Sequence, residues 1–163
     1  MPANYFNPRG EYCGLVSALV GSTDTINSSD VGRLVAKSSN NVILKSGGSS
    51  FSTDLIAGII AAVPEASSGG STVPIYISKL NPEYEIEGTY TTAYGGGHPA
   101  TTDIGKYVGL SSAASFAGAV LDMQFVSNAP GTSNGCFLRI SGFSTNRRKI
   151  YGYPAVNSSC LSW

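Results

Sequence analysis

Apolar residues in this chain come in short runs, and that punctuation restricts the fold more than any other feature. "YCGLVSALV", "RLVAK", "NVILKS", "DLIAGIIAAV", "VPIYISKL", "EYEIEGTYTT", "KYVGL", "GAVLDMQFVS", "CFLRISGF" and "RKIYGYP" are each of strand length and rich in Val, Ile, Leu, Tyr or Phe. Gly, Ser, Asn and Pro clusters separate them. β-Branched and aromatic side chains fit a pleated backbone, whereas Gly, Asn and Pro mark turns, so the expected class is all-β, a small β-barrel or sandwich. In "EYEIEG", Tyr84, Ile86 and Gly88 alternate with Glu83, Glu85 and Glu87. The carboxylates are expected to face water, with Tyr84 and Ile86 facing a core. Helix is the rival over 51–63, where Ser52 or Thr53 offers a cap; strand is the reading adopted.

The stretch "PEASSGGST" at 64–72 has linker composition, with few side chains that can pack. The expected organisation is an N-terminal arm at 1–12, a first β-rich half at 13–64, a Ser/Gly linker at 65–72 and a second half, the main β-module, at 73–163. Each half contains one copy of a phrase: "SDVGRLV" at 29–35 and "TDIGKYV" at 102–108. Asp30 and Asp103 can accept a hydrogen bond from the backbone N–H two residues on, and Gly32 and Gly105 can take a positive φ. The phrase thus predicts a tight turn or single helical turn feeding a strand. Arg33 and Lys106 are expected to face solvent, with Leu34/Tyr107 and Val35/Val108 on opposite faces of that strand. Duplication would make "STDLIAGIIAAVP" the counterpart of "STNRRKIYGYP"; convergence on a favourable turn is the alternative. The turn reading is preferred to a catalytic one for both Asp residues, since neither has a nearby base, nucleophile or ligand in sequence.

Charge excludes several classes of partner. Only 12% of residues are charged, ten acidic against ten basic, while 42% are apolar. The surface is therefore neutral and Ser/Thr/Asn/Gly-rich, without the cationic footprint of a nucleic-acid binder. Cys13, Cys136 and Cys160 are odd in number and lack metal-ligand or disulfide-framework spacing, so reduced thiols are expected. The start "MPANYFNPRGEYCG" lacks a basic segment followed by an apolar one, and "LIAGIIAAV" is too short to span a bilayer. A soluble protein made and used without export is expected.

The parts of an enzyme are mostly missing from the sequence. His98, in "GGGHPA", is the only histidine. There is no G-x-S-x-G elbow, and "IGKY" lacks the earlier Gly and following Ser or Thr of a phosphate loop. Paired carboxylates from Glu83, Glu85, Glu87, Asp103 and Asp122 are the least excluded chemistry, with Tyr90 and Tyr94 as a sugar platform. No enzymatic activity, cofactor or metal is expected.

"DIGKYVGLS", "GAVLDMQFVSN", "CFLRISGFS" and "KIYGY", with the upstream "VPIYISKLNPEYEIEGTY", resemble the head decoration, or cement, proteins of tailed bacteriophages. The resemblance covers roughly 73–153. It implies a small β-barrel or sandwich protein that forms homotrimers on the outer surface of the assembled head, made in the host bacterial cytoplasm. The implied partner is the major capsid protein. On that reading the N-terminal "PANYFNPRGEY", with Tyr5, Phe6, Arg9 and Tyr12, is the first candidate capsid contact. Its alternative is a terminus anchored by aromatics on its own barrel. Arg147, Arg148 and Lys149 are the second candidate, for capsid carboxylates or for protecting a strand edge. A third class is a virion surface binding module at a fibre or spike tip, recognising a glycan or receptor through the Tyr-containing loop at 89–102.

Overall fold

The computed structural model describes residues 6–10, 15–21, 24–37, 42–44, 55–63, 74–79, 83–111, 118–129 and 137–155. It is all-β: strands β1 (Phe6–Pro8), β2 (Leu15–Val20), β3 (Leu34–Lys37), β4 (Val42–Leu44), β5 (Leu55–Ala62), β6 (Pro74–Lys79), β7 (Ile86–Thr91), β8 (Tyr107–Leu110), β9 (Leu121–Ser127), β10 (Leu138–Ser144) and β11 (Lys149–Pro154). Each of the ten apolar runs contains one of β2 to β11, and the 51–63 segment supplies a strand rather than a helix. The short β1 lay outside the expected strands, because "FNP" has neither alternation nor length.

Strands β2, β4, β3, β5 and β6 close into a barrel in that order, and a parallel pairing of β7 with β9 closes β7, β11, β10, β8 and β9 into a second ring. The two are one pattern written twice, in register as well as in connectivity. Leu34 pairs with Ile59 as Tyr107 pairs with Arg139, Val20 with Ile43 as Tyr90 with Leu121, and Ile59 with Ser78 as Arg139 with Tyr153. Four of the five neighbour pairs in each ring are antiparallel, and the parallel one joins the first strand to the third.

This register corrects two expectations. The counterpart of "STDLIAGIIAAVP" is the β10 segment "LRISGFS", not "STNRRKIYGYP", since Ile60 and Ile140 hold equivalent bonds. Nor does the second half open at 73: β6 pairs with both β2 and β5, so Pro74–Lys79 completes the first barrel. A Ser/Gly-rich composition between strands looks alike whether it joins modules or connects two strands of one module. The expected linker at 65–72 lies outside the described residues.

The copied phrase forms the same device in both barrels. Ser28–Asp30 and Thr101–Asp103 each make one 3-10 turn, after which Gly32 and Gly105 adopt φ of 87° and 88°. The Gly N–H then donates to the carbonyl of Ile60 or Ile140, 2.8 Å in both, and that residue's N–H donates back to Arg33 or Lys106. Only Gly takes such a φ without Cβ strain, which fixes its position in the phrase. The Asp partner differs from expectation: each carboxylate accepts from an N–H three residues earlier, Asn27 (3.0 Å) or Ala100 (2.9 Å). A carboxylate on the third residue of a helical turn reaches back to the capping residue, half of a capping box. Asn27 supplies the other half by accepting from the Ser29 N–H, whereas Ala100 has no acceptor.

Among the described residues, two apolar clusters form the core. One lies within the first barrel and includes Ala18, Val20, Ile26, Val35, Ala57 and Ile60. The larger joins Leu34, Ala36, Ile56 and Ile59 of the first barrel to Phe6, Ile86, Tyr90, Val108, Leu121, Phe137 and other residues of the second. Leu34 and Val35 thus bury on opposite faces of β3, one toward the neighbouring barrel and one inward, as strand alternation requires. β1 ties the halves together. It pairs antiparallel with β7, and the Phe6 N–H donates to the Gly32 carbonyl of the first barrel, 2.8 Å away.

Candidate contact surface

Glu85, the residue before β7, and Glu87 within it point outward while Ile86, Gly88 and Tyr90 are buried; the expected alternation holds from Glu85 to Gly88 and ends at Thr89, which is buried as well. The carboxylates, however, are half-buried and engaged rather than simply hydrated. Glu85 is met at 2.8 Å by Arg9, which β1 brings alongside, and accepts from the Ser141 hydroxyl at 2.6 Å. The Arg9 guanidinium also lies 3.7 Å from the centre of the Tyr151 ring, a cation–π contact. Glu87 faces Arg147 at 3.7 Å. Lys149, paired in register with Thr89, donates to the Thr89 hydroxyl at 2.8 Å. Burial pulls the Lys149 ammonium below its ordinary pKa, with Glu87 partly opposing that shift.

These contacts redistribute the expected capsid-facing residues. Phe6 is a core residue, 1% exposed, packed edge-to-face on Phe137 with ring centroids 5.4 Å apart. It cannot serve as a free anchor; of the readings weighed for the N-terminal segment, an aromatic packed on its own barrel describes it. Gly88 makes the room, since a Cβ there would stand 2.5 Å from the Phe6 ring. Arg9 belongs to the Glu85–Tyr151 contact. Tyr5 and Tyr12 lie outside the described residues. Arg147 and Arg148 are exposed in the turn between β10 and β11; Arg148 has φ of 55° and donates to the Thr92 hydroxyl at 3.2 Å. Protection of a strand edge does not explain this cationic turn, because β10 and β11 each have neighbours on both sides in the closed ring.

The 89–102 segment begins inside the second barrel. Thr89–Thr91 ends β7, and Tyr90 is 2% exposed, which removes it from any sugar platform. Its hydroxyl and His98 Nδ1 are 2.7 Å apart in a hydrogen bond, so the exposed His98 is tethered to the barrel wall. Burial raises the Tyr90 phenol above its ordinary pKa, with Arg148 opposing. Tyr94, 58% exposed, is the loop's outward aromatic.

The remaining acids are similarly occupied. Asp103 is held below the usual carboxylate range, chiefly by the Ala100 N–H and further by Lys106, whose ammonium is 3.0 Å away; burial opposes this. Asp122, 1% exposed, accepts from the Gln124 N–H at 2.9 Å. Among the described residues, no group of three or more His, Cys, Asp or Glu is placed to hold a metal ion. No helix there is long and apolar enough to cross a membrane. The three cysteines lie outside the described residues. Comparison with protein-family models, curated proteins and solved structures finds no match.

Proposed function

We propose that this chain is a structural virion protein, a cement protein that decorates the outer surface of an assembled phage head as a homotrimer and braces the major capsid protein. The observation that carries the non-enzymatic part is the use made of its ionisable groups. Glu85 and Glu87 bind cations, Asp103 closes a turn, Asp122 caps a backbone N–H within its own strand, and the His98 Nδ1 holds a buried tyrosine. Each supports the frame, and a frame of two closed barrels suits a mechanical role. The capsid assignment rests on the resemblance of residues 73–153 to cement proteins and on a net-neutral surface.

Docking on a lattice is multivalent. Three sites presented in register raise avidity by about 10²–10⁴ over one, so assembled, expanded capsids should be bound and free capsid subunits left alone. A net-neutral protein also relies little on long-range charge, so binding should survive moderate salt. The test is co-sedimentation with undecorated particles, using the full chain, an Arg147→Ala/Arg148→Ala variant and a Tyr94→Ser variant. Loss with the double variant identifies the cationic turn as the contact. Sedimentation of the full chain with no form of capsid would reject the decoration reading. Binding to glycan arrays abolished by Tyr94→Ser, without capsid binding, would favour the surface binding module instead.

A further inference from the structure

The second ring closes where β7 and β9 run parallel, Tyr90 against Leu121 and Thr91 against Asp122. Tyr90 and Leu121 face the core, so by alternation Thr91 and Asp122 lie together on the opposite face of that seam. Ser111 joins them there: it follows Leu110, which pairs with Leu121 in the core, and its Oγ accepts from the Val120 N–H at 3.1 Å. Three oxygen-bearing side chains thus occupy neighbouring positions on β7, on β9 and just past the end of β8. Asp122 and Ser111 are 1% and 4% exposed, and the half-buried Thr91 accepts from the Ala93 N–H at 3.1 Å.

Asp122 is the group at this seam that hydrogen bonding leaves incomplete. Its Oδ1 accepts from the Gln124 N–H, and among the described residues no donor or cation reaches Oδ2. Gly96 presses so closely on Met123 and Gln124 that a Cβ there would overlap their backbone, which lays the loop over the carboxylate's one donor. A buried carboxylate without a counter-charge is costly. The barrel pattern does not demand one. In the first barrel the position opposite Ala36, equivalent to Asp122 opposite Gly109, is Leu44, and Gly21 follows Val20 where Thr91 follows Tyr90. The twin closes the same seam with neither carboxylate nor hydroxyl at those two positions.

We propose that Asp122 Oδ2, with the hydroxyl oxygens of Thr91 and Ser111, binds one hard metal cation that ties the seam of the second barrel. A cation is required by the charge, since a water would supply a hydrogen-bond donor and leave the carboxylate uncompensated. The donor set selects its class: carboxylate and hydroxyl oxygens are hard ligands, suited to Na⁺ or Ca²⁺ and not to metals that seek thiolate or imidazole. One acid suffices, because neutral oxygens and waters complete such a shell. Bound there, the cation holds β7, β8 and β9 at a junction that consists of two residue pairs. This inference concerns the folded chain alone and stands without the capsid reading.

The experiment is thermal melting of the chelator-treated full chain in choline chloride, NaCl or CaCl₂ at matched ionic strength, with Asp122→Asn and Asp122→Leu variants. Wild type should melt higher in NaCl or in CaCl₂ than in choline chloride, and the salt that acts identifies the cation. At about 100 times its dissociation constant, the cation should multiply the folding equilibrium constant about 100-fold. Asp122→Asn, whose carbonyl oxygen can still accept from Gln124, should fold and lose that response. Asp122→Leu, carrying the twin barrel's residue, should be equally unresponsive. Equilibrium dialysis should retain the effective cation on wild type and not on the Asn variant. Wild type melting alike in all three salts, or an Asn variant that responds as wild type does, would overturn the inference.

Discussion

Gly105 and Gly88 should both resist replacement by alanine, for different physical reasons. At Gly105 a Cβ would meet nothing within 4 Å, so Gly105→Ala carries only the cost of an L-residue at φ of 88°, about 1–2 kcal/mol. At Gly88 the backbone is ordinary, but a Cβ would press on the Phe6 ring and on Leu121 Cδ1 at 2.9 Å, and overpacking of that kind costs about 1–3 kcal/mol. Urea denaturation separates the two. The penalty of Gly88→Ala should shrink in a Phe6→Leu background, whereas that of Gly105→Ala should not change; equal penalties in both backgrounds would show that Phe6 does not set the limit at Gly88. The Gly105 constraint was legible in the sequence, since Asp-x-Gly before a bulky residue and Val names a turn. The Gly88 constraint was not, because it depends on a side chain 82 positions away.

At the scale of elements, the 3-10 turns and β1 are the two devices most open to test. Asp30 is 2% exposed while Asp103 is partly open, so Asp30→Ala should cost about 1–3 kcal/mol and Asp103→Ala about 1 kcal/mol. The Asp103 contribution should also depend on pH. Its folded-state pKa is lowered, so its stabilisation is present above the ordinary carboxylate range and is lost as pH falls through the folded value. Thermal melts of wild type and Asp103→Ala should accordingly differ at neutral pH and converge as the pH is taken below the ordinary carboxylate range; a constant gap would mean that the charge on Asp103 is irrelevant. For β1, Phe6→Ala should cost about 3–5 kcal/mol, the loss of a buried aromatic, and a chain lacking residues 1–8 at least as much. A strand of three residues, "FNP", carries no periodicity to read. The sequence could name its aromatic but not whether that ring faced a partner or its own core. The ten other strands were legible because each lies in an apolar, β-branched or aromatic run bounded by turn residues. Their assignment to two barrels was less so: β6 follows a linker-like segment, and only its pairing with β2 and β5 shows which barrel it completes.

At the scale of the molecule, two barrels of one pattern, each with its own copy of the turn phrase, invite the expectation of independent unfolding. The apolar contacts argue otherwise. Leu34, Ala36, Ile56 and Ile59 belong to the first barrel's strands yet pack in the cluster that fills the second, and Phe6 hydrogen-bonds one barrel while filling the other. Alternation along β3 places Leu34 and Val35 on opposite faces but cannot say that both faces are covered, so the shared core was invisible to the sequence. Separating the barrels would expose that apolar area, at about 25 cal/mol per Å². Calorimetry should therefore give a single transition whose calorimetric and van't Hoff enthalpies agree, the mark of all-or-none unfolding. Leu34→Ala, expected to cost about 2–5 kcal/mol, should move that whole transition. Backbone N–H exchange in β8 and β10 should accelerate along with that in β3, although β8 and β10 carry no mutation. Two transitions, of which Leu34→Ala lowers only the first barrel's, would mean that the barrels are neighbours and not one cooperative unit.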